Sequence, residues 1–385
     1  MVKKIALLGA SGSIGSSTFE VIREQTEHFK ISLASAHSSW EKLCTLGHKF
    51  DIPVLVFTGI DEPSLQEQIR NKHPKIKIYF GENELINLLK DEDYDIALNA
   101  IGGSAGIRAT FAILGRGKSL ALANKESLVL GGHLVHESFK DALILPVDSE
   151  HSAIFQAIGN SPKAEIKKLI ITASGGAFRD FPLSDFGTIT PEMALKHPNW
   201  DMGAKVTLDS ATMFNKALEV MEARWLFDLP YEQIEAVIHP QSVIHSLVQY
   251  IDGSLIAQLG TPDMKLPILY ALSYPKRLPS ELVQTDLLEH ANLTFEGIAK
   301  ERYPLYYLGL DAARAGGIIP TIINAAVEAA MKLFLGRIIT FSEIHKVVEE
   351  SLQKASQIAF PSLEEIITIN RNTYKQILSQ YKFID

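Results

Sequence analysis

The residues best suited to chemistry in this chain are acidic. Val147-Asp148-Ser149-Glu150-His151 follows the apolar run Leu143 to Val147, which reads as a buried strand. In an extended chain, residues two apart point to the same side, so Asp148 and Glu150 are expected to leave the strand end together. Like charges held that close are unfavourable unless a proton or a cation sits between them. A second motif runs from Leu208-Asp209-Ser210 to Asn215-Lys216-Ala217-Leu218-Glu219 and reads as part of one helix, Ala211–Trp225. Glu219 could supply a third oxygen. Three carboxylates suit a hard divalent cation such as Mg²⁺ or Mn²⁺, with positions left open for substrate. Ser210, Asn215 and Lys216 are expected to share the helix with Glu219 and to suit a phosphate beside the metal. The plainer reading makes Asp148 and Glu150 acids at a helix N-terminus and Glu219 a surface acid.

A third motif lies at the start of the chain. Ile5-Ala6-Leu7-Leu8 leads into Gly9-Ala10-Ser11-Gly12-Ser13-Ile14-Gly15, a glycine pattern between a strand and a helix. Such a turn lets backbone amides approach a pyrophosphate at a helix N-terminus, which points to a dinucleotide. The next strand ends Ala34-Ser35-Ala36-His37-Ser38-Ser39, without the acid that NAD sites use for the ribose hydroxyls. That absence favours NADP, with His37 and Ser38 as candidate contacts to the 2′-phosphate. Asn124-Lys125-Glu126-Ser127 follows another strand and opens a helix, at the ligand-facing side of such a sheet. Lys125 could reach a substrate oxygen there, or pair with a nearby carboxylate.

The elements that must position these groups follow from apolar periodicity. Short runs at Lys4–Leu8, Ile31–Ser35, Val54–Phe57, Ile76–Tyr79, Ile96–Asn99 and Ser119–Ala121 alternate with helical patterns. This predicts a Rossmann-like, doubly wound parallel sheet over residues 1–147. Residues 148–274 read as an α+β domain with a strand at Leu169–Thr172. A hairpin of Val243–Tyr250 and Ser254–Leu259 turns at Asp252-Gly253. Its long loop, about 174–204, is flanked by Gly175, Gly176 and Gly203 and is expected to act as a mobile flap. Residues 275–298 read as a connector and 299–385 as a helical bundle, with capping boxes at Thr340/Glu343 and Ser362/Glu365.

Composition bounds the function class. The chain has 385 residues, 46% of them hydrophobic and 21% charged, with a net charge of −8. With no basic tract, a nucleic-acid partner is not indicated. No stretch approaches a membrane span, and a single cysteine, Cys44, fits a reducing cytoplasm.

Taken in order, the glycine loop, Leu122-Ala123-Asn124-Lys125-Glu126-Ser127, Val147 to His151, Ser174-Gly175-Gly176, His197-Pro198-Asn199-Trp200 and Asp209 to Glu219 resemble the 1-deoxy-D-xylulose 5-phosphate reductoisomerase family along the whole chain. The resemblance implies conversion of that substrate to 2-C-methyl-D-erythritol 4-phosphate for isoprenoid synthesis. It also implies NADPH, a divalent metal (Mg²⁺, Mn²⁺ or Co²⁺) and a homodimer. Asp148, Glu150 and Glu219 match the family's metal ligands. Lys125, Ser149, Ser174, His197, Ser210, Asn215 and Lys216 match its substrate contacts, and Trp200 and Met202 its flap residues. Ser11, Gly12, Ser13, Ile14, Asn124, Glu126 and Gly203 match its NADPH contacts. Members often carry Thr at the place of Ser11, and Gly-Lys or Gly-Arg at that of Ala36-His37. Family chemistry is described as retro-aldol cleavage and re-aldolisation, or a 1,2-shift, followed by reduction of the aldehyde.

Three rivals frame this reading. A semialdehyde dehydrogenase needs a thiolate nucleophile, and Cys44 sits in a helix pattern of the nucleotide half. A metal-dependent NADP hydroxy-acid dehydrogenase needs no phosphate donors. An NADP(H)-sensing regulator needs neither three acids nor a flap.

Overall fold

The computed structural model describes residues 2–196 and 203–383; His197, Trp200 and Met202 of the expected flap lie outside them. The chain divides into two compact units built from separate stretches. The first takes Met1–Ser127, Val135–Ser152 and Asp263–Gln284, and the second Leu128–Leu134, Ala153–Pro262 and Thr285–Asp385.

In the first unit, strands and helices alternate: β1 (Lys3–Leu8), α1 (Ser13–Glu24), β2 (Phe29–Ala36), α2 (Trp40–Lys49), β3 (Val54–Phe57), α3 (Pro63–Lys72), β4 (Lys77–Phe80), α4 (Glu82–Asp91), β5 (Ile96–Asn99), α5 (Ile107–Gly115), β6 (Ser119–Leu122), α6 (Glu126–Ser138) and β7 (Ile144–Pro146). All seven strands are parallel, in the order β4-β3-β2-β1-β5-β6-β7. β3 and β5 are buried at every position, as strands covered by helices on both faces must be. Winding reverses between β1 and β5, and ligands of such sheets bind at the carboxyl ends beside that point. The doubly wound expectation is met.

α7 (Ser149–Ile158) begins at once after β7. This corrects one expectation: Asp148 and Glu150 do not leave an extended strand side by side. Asp148 supplies the carbonyl that accepts from Ser152 N at 2.8 Å, so the helix opens there and Glu150 lies in its first turn. Helix hydrogen bonding starts at the first residue able to join it, and no strand partner extends beyond Pro146.

The second unit contains β8 (Ile166–Ala173), α8 (Pro191–Ala194), α9 (Ala204–Ala211), α10 (Phe214–Leu226), β9 (Ile234–Ile238), β10 (Ile244–Tyr250) and β11 (Leu255–Leu259). Its sheet runs β11-β10-β8-β9; β8 and β9 are parallel and the other pairs antiparallel. The expected hairpin is present, with Gly253 at φ +92° and Asp252 Oδ1 accepting from Ser254 N at 2.9 Å. Against the sheet, Ile154 of α7 packs with Ile166, Leu169, Ile171, Val248 and, from α10, Val220 and Ala223. Each of the isoleucine, leucine and valine side chains contributes roughly 1.5–3 kcal/mol by leaving water.

A second correction concerns the acidic helix. The expected single helix is two, because Met213 adopts φ +59° and separates α9 from α10. Ser210 therefore stands on α9, apart from the helix of Asn215, Lys216 and Glu219.

α11 (Lys265–Ser273) belongs to the first unit and packs on α1. The rest is helical: α12 (Pro304–Ala315), α13 (Ile319–Leu335), α14 (Ile344–Gln353) and α15 (Leu363–Gln380). α13 is buried nearly all round, as the central helix of a bundle must be. Both expected capping boxes form. None of the described helices is long and apolar enough to cross a membrane.

Candidate active site

At the β1–α1 turn, Gly9 has φ +73°, and a Cβ there would stand 2.3 Å from the Ala100 carbonyl oxygen of the neighbouring strand's end. Only glycine fits that close approach. Gly12 precedes the first turn of α1 and accepts from Ser16 N at 2.9 Å. Ser13, Ile14 and Gly15 therefore form the helix's first turn, whose amides lack partners within the helix and suit an anion. Ala36 ends β2; His37 follows, with Nδ1 3.2 Å from Thr58 Oγ1.

The ends of β5 and β6 carry a buried polar network. Asn99 Nδ2 donates to the Gly106 carbonyl and to Thr110 Oγ1, both at 2.9 Å, and Thr110 Oγ1 meets Ser127 Oγ at 2.9 Å. Asn124 Nδ2 donates to the carbonyls of Ile101 (2.7 Å) and Gly103 (2.8 Å), and to Glu126 Oε2 at 3.1 Å. Asn124 and Glu126 thus brace the loop after β5 beside the nucleotide turn. Asn99 and Thr110 give no signal in the sequence, because each is a single polar residue in an apolar run, whereas Ser127 closes the motif that begins at Asn124.

Next to this network, Lys125 Nζ lies 2.6 Å from Asp148 Oδ2. Burial opposes ionisation of Asp148, yet the Lys125 ammonium and the fully buried His151 imidazole beside it hold its carboxyl well below the usual range. His151 Nδ1 stands 3.9 Å from Asp148 Oδ1. Ser149 Oγ donates to Glu150 Oε2 at 2.5 Å.

In the second unit, α10 presents Glu219 between two donors. Asn215 Nδ2 donates to Oε1 at 2.5 Å, and the Lys216 ammonium donates to Oε2. Glu219 and Lys216 are almost wholly buried. One turn on, Glu222 is buried as well, an acid the sequence reading left out although its spacing of three from Glu219 puts it on the same face.

The turn that carries Ser174 meets the backbone of Ser210 through Gly176. Gly175 and Gly176 have φ +86° and +70°, Gly176 N donates to Ser174 Oγ at 3.1 Å, and a Cβ on Gly176 would stand 2.4 Å from the Ser210 carbonyl oxygen. Residues far along the chain fix this turn: Tyr303 Oη donates to the Gly175 carbonyl (2.8 Å), and Arg302 Nη1 to those of Phe178 and Phe181 (both 2.7 Å). Phe178, Phe181 and Phe186 pack edge-on or tilted against one another, and Phe178 and Phe186 also against Phe341. Gly203 opens α9, accepting from Thr207 N at 3.0 Å.

The donor chemistry of these acids fits a hard divalent cation. Asp148, Glu150 and Glu219 offer carboxylate oxygens without a thiolate, and Asp148 and Glu219 each lie beside an ammonium. Serine, asparagine and lysine donors beside Glu219 suit phosphate oxygens.

The family model for 1-deoxy-D-xylulose 5-phosphate reductoisomerase matches residues 5–132, and its two C-terminal domain models match 144–227 and 259–376. Reductoisomerases of Geobacillus sp. (strain WCH70) and Shouchella clausii (strain KSM-K16) are 45% and 46% identical. In each case 98% of this chain and 100% of the relative are covered. A crystal structure of a reductoisomerase with NADPH, fosmidomycin and magnesium is similar, with a TM-score of 0.92, 38% identity and coverage of 99% of this chain and 98% of the other. The Zymomonas mobilis enzyme with NADPH gives 0.91 and 36%, over 100% of both chains. This chain belongs to the 1-deoxy-D-xylulose 5-phosphate reductoisomerase family.

Proposed function

We propose that the chain converts 1-deoxy-D-xylulose 5-phosphate to 2-C-methyl-D-erythritol 4-phosphate, using NADPH and a divalent cation, Mg²⁺ or Mn²⁺. The observation that carries the site assignment is that Ile154 of α7 and Val220 of α10 belong to one buried apolar cluster. Glu150 precedes Ile154 by one turn, and Glu219 is the residue before Val220. In this reading Asp148, Glu150 and Glu219 hold one ion.

That ion supplies Lewis-acid stabilisation of charge on the substrate's adjacent ketone and hydroxyl oxygens, and NADPH supplies the hydride. Lys125 holds Asp148 ionised and presents donors to a substrate oxygen. Ser149 orients Glu150. Ser174, Ser210, Asn215 and Lys216 bind the phosphate, remote from the reacting carbons, so that its binding energy is available for orientation. Residues 174–204, with His197, Trp200 and Met202, close over the substrate as a flap and exclude water. Ser11, Gly12, Ser13, Ile14, Asn124, Glu126 and Gly203 serve the nucleotide. Residues 1–147 act as the nucleotide domain, 148–274 as the catalytic domain and 299–385 as the supporting bundle.

The working form is a cytoplasmic homodimer in this reading. β11 is a sheet edge with Leu255 and Ile256 exposed and Ile251 beside it, a surface suited to pairing with a second copy.

The decisive experiment follows NADPH oxidation on adding 1-deoxy-D-xylulose 5-phosphate, with and without Mg²⁺, and identifies the product's carbon skeleton. A branched, reduced product that forms only with metal supports the assignment. Full turnover in excess chelator, or a product with an unbranched chain, rejects it.

A further inference from the structure

The end of β2 has Ala36-His37 where family members often carry glycine followed by one lysine or arginine, and the residue that supplies the missing charge is not the one its position suggests. His37 has one ring nitrogen engaged and its ring held against a neighbouring strand's end. Its Nδ1 pairs with Thr58 Oγ1 at 3.2 Å, and its ring lies against the backbone of Gly59, where a Cβ would stand 2.3 Å from Cε1. The chain instead brings an ammonium to the nucleotide turn from α2. Lys42 Nζ donates to the Ser11 carbonyl at 2.7 Å and stands 3.4 Å from Ser16 Oγ. An ammonium carries three donors, and the Lys42 side chain is exposed, so the charge is open to a ligand at this spot. Glu41, the acid in the first turn of α2, is adjacent in sequence and so projects to another side of the helix.

In such folds the adenosine ribose lies at the end of the second strand, where NADP enzymes place a basic residue for the 2′-phosphate. Building on the NADPH-dependent reading above, we propose that Lys42 is the residue that reads the 2′-phosphate in this chain and sets its preference over NADH. The Ser11 carbonyl holds the ammonium at the turn before ligand arrives, which lowers the ordering entropy of a long flexible side chain. His37 shapes the wall of the subsite by packing on Gly59.

The test compares two probes on the full-length protein by calorimetric titration: adenosine 2′,5′-bisphosphate and adenosine 5′-monophosphate, which differ only in the 2′-phosphate. The wild type is expected to bind the bisphosphate more tightly. Lys42→Met should weaken the bisphosphate about tenfold, the order of one charge-assisted bond, and leave the monophosphate within about twofold. Lys42→Arg should retain most of the difference, as should His37→Ala. A Lys42→Met variant that loses affinity for both probes alike would show that the lysine only staples the turn, and would overturn the proposal. So would loss of the difference in His37→Ala with Lys42→Met unaffected. Equal binding of both probes by the wild type would count against the NADPH preference itself, which separates failure of that reading from failure of the Lys42 assignment.

Discussion

Lys125 Nζ lies 2.6 Å from Asp148 Oδ2, and 11% of each side chain is exposed. The pair joins the start of α6 to the start of α7, two helix N-termini that follow neighbouring parallel strands. It keeps a buried carboxylate charged, the form in which its oxygens accept hydrogen bonds or bind a hard cation.

Removing one partner of such a pair leaves the other uncompensated. Lys125→Met is expected to lower stability by about 3 kcal/mol in urea titrations without divalent cation. Added Mg²⁺ should restore more stability to the variant than to the wild type, since the ion then neutralises Asp148. A variant as stable as wild type without metal would show that the pair carries no structural charge balance.

Glu219→Gln keeps the shape of the Asn215 contact and removes one negative charge. Mn²⁺ affinity, read from the electron paramagnetic resonance signal of the free ion, should fall at least tenfold, roughly the size of effects seen when even outer partners of metal ligands are lost. Unchanged Mn²⁺ binding would remove Glu219 from the ligand set.

Gly176→Ala places a Cβ 2.4 Å from the Ser210 carbonyl oxygen at a residue with φ +70°. The left-handed backbone alone disfavours alanine by about 1–2 kcal/mol, and the contact forces the Ser174 turn away from α9. Lower melting temperature and a raised KM for the phosphosugar are expected together. Gly297→Ala, which meets no atom within 4 Å, is the control and should change neither. A normal KM in Gly176→Ala would show that Ser174 and Ser210 need not stay adjacent.

Burial pushes the Cys44 thiol up to about 11, against the opposing pull of the Lys72 ammonium. At pH 8 the native protein should therefore react very slowly with a disulfide reagent and react at once in denaturant. The unfolded thiol ionises near 8.5, so between that pH and about 11 the folded state holds the extra proton. Stability falls as pH rises through this window, by up to roughly 3 kcal/mol. Cys44→Ala should flatten this alkaline loss in a denaturant series; an identical slope would exclude Cys44 as its source.

The alternating pattern of residues 3–146 is readable because fully buried parallel strands are apolar without interruption, and the turn after β1 has glycines that nothing else can replace. Capping boxes at Thr340 and Ser362 were equally legible, since a cap is a local hydrogen-bond exchange within four residues. The break at Met213 was not. Nothing in Ala211-Thr212-Met213-Phe214 marks a left-handed residue; the conformation is held by burial of Met213 and by Phe214 N donating to Thr212 Oγ1 at 3.4 Å.

Sequence alone therefore determined the chemical inventory: a glycine turn between a strand and a helix, three carboxylates, and serine, asparagine and lysine donors. Each is a matter of residue type and short spacing. The tertiary structure decided which groups meet. Lys125 on Asp148, Gly176 on Ser210, Tyr303 on Gly175 and Lys42 on Ser11 are pairings across long stretches of chain. They arise because burying apolar surface fixes where each helix and strand lies, and polar side chains then bond to whatever that packing places beside them.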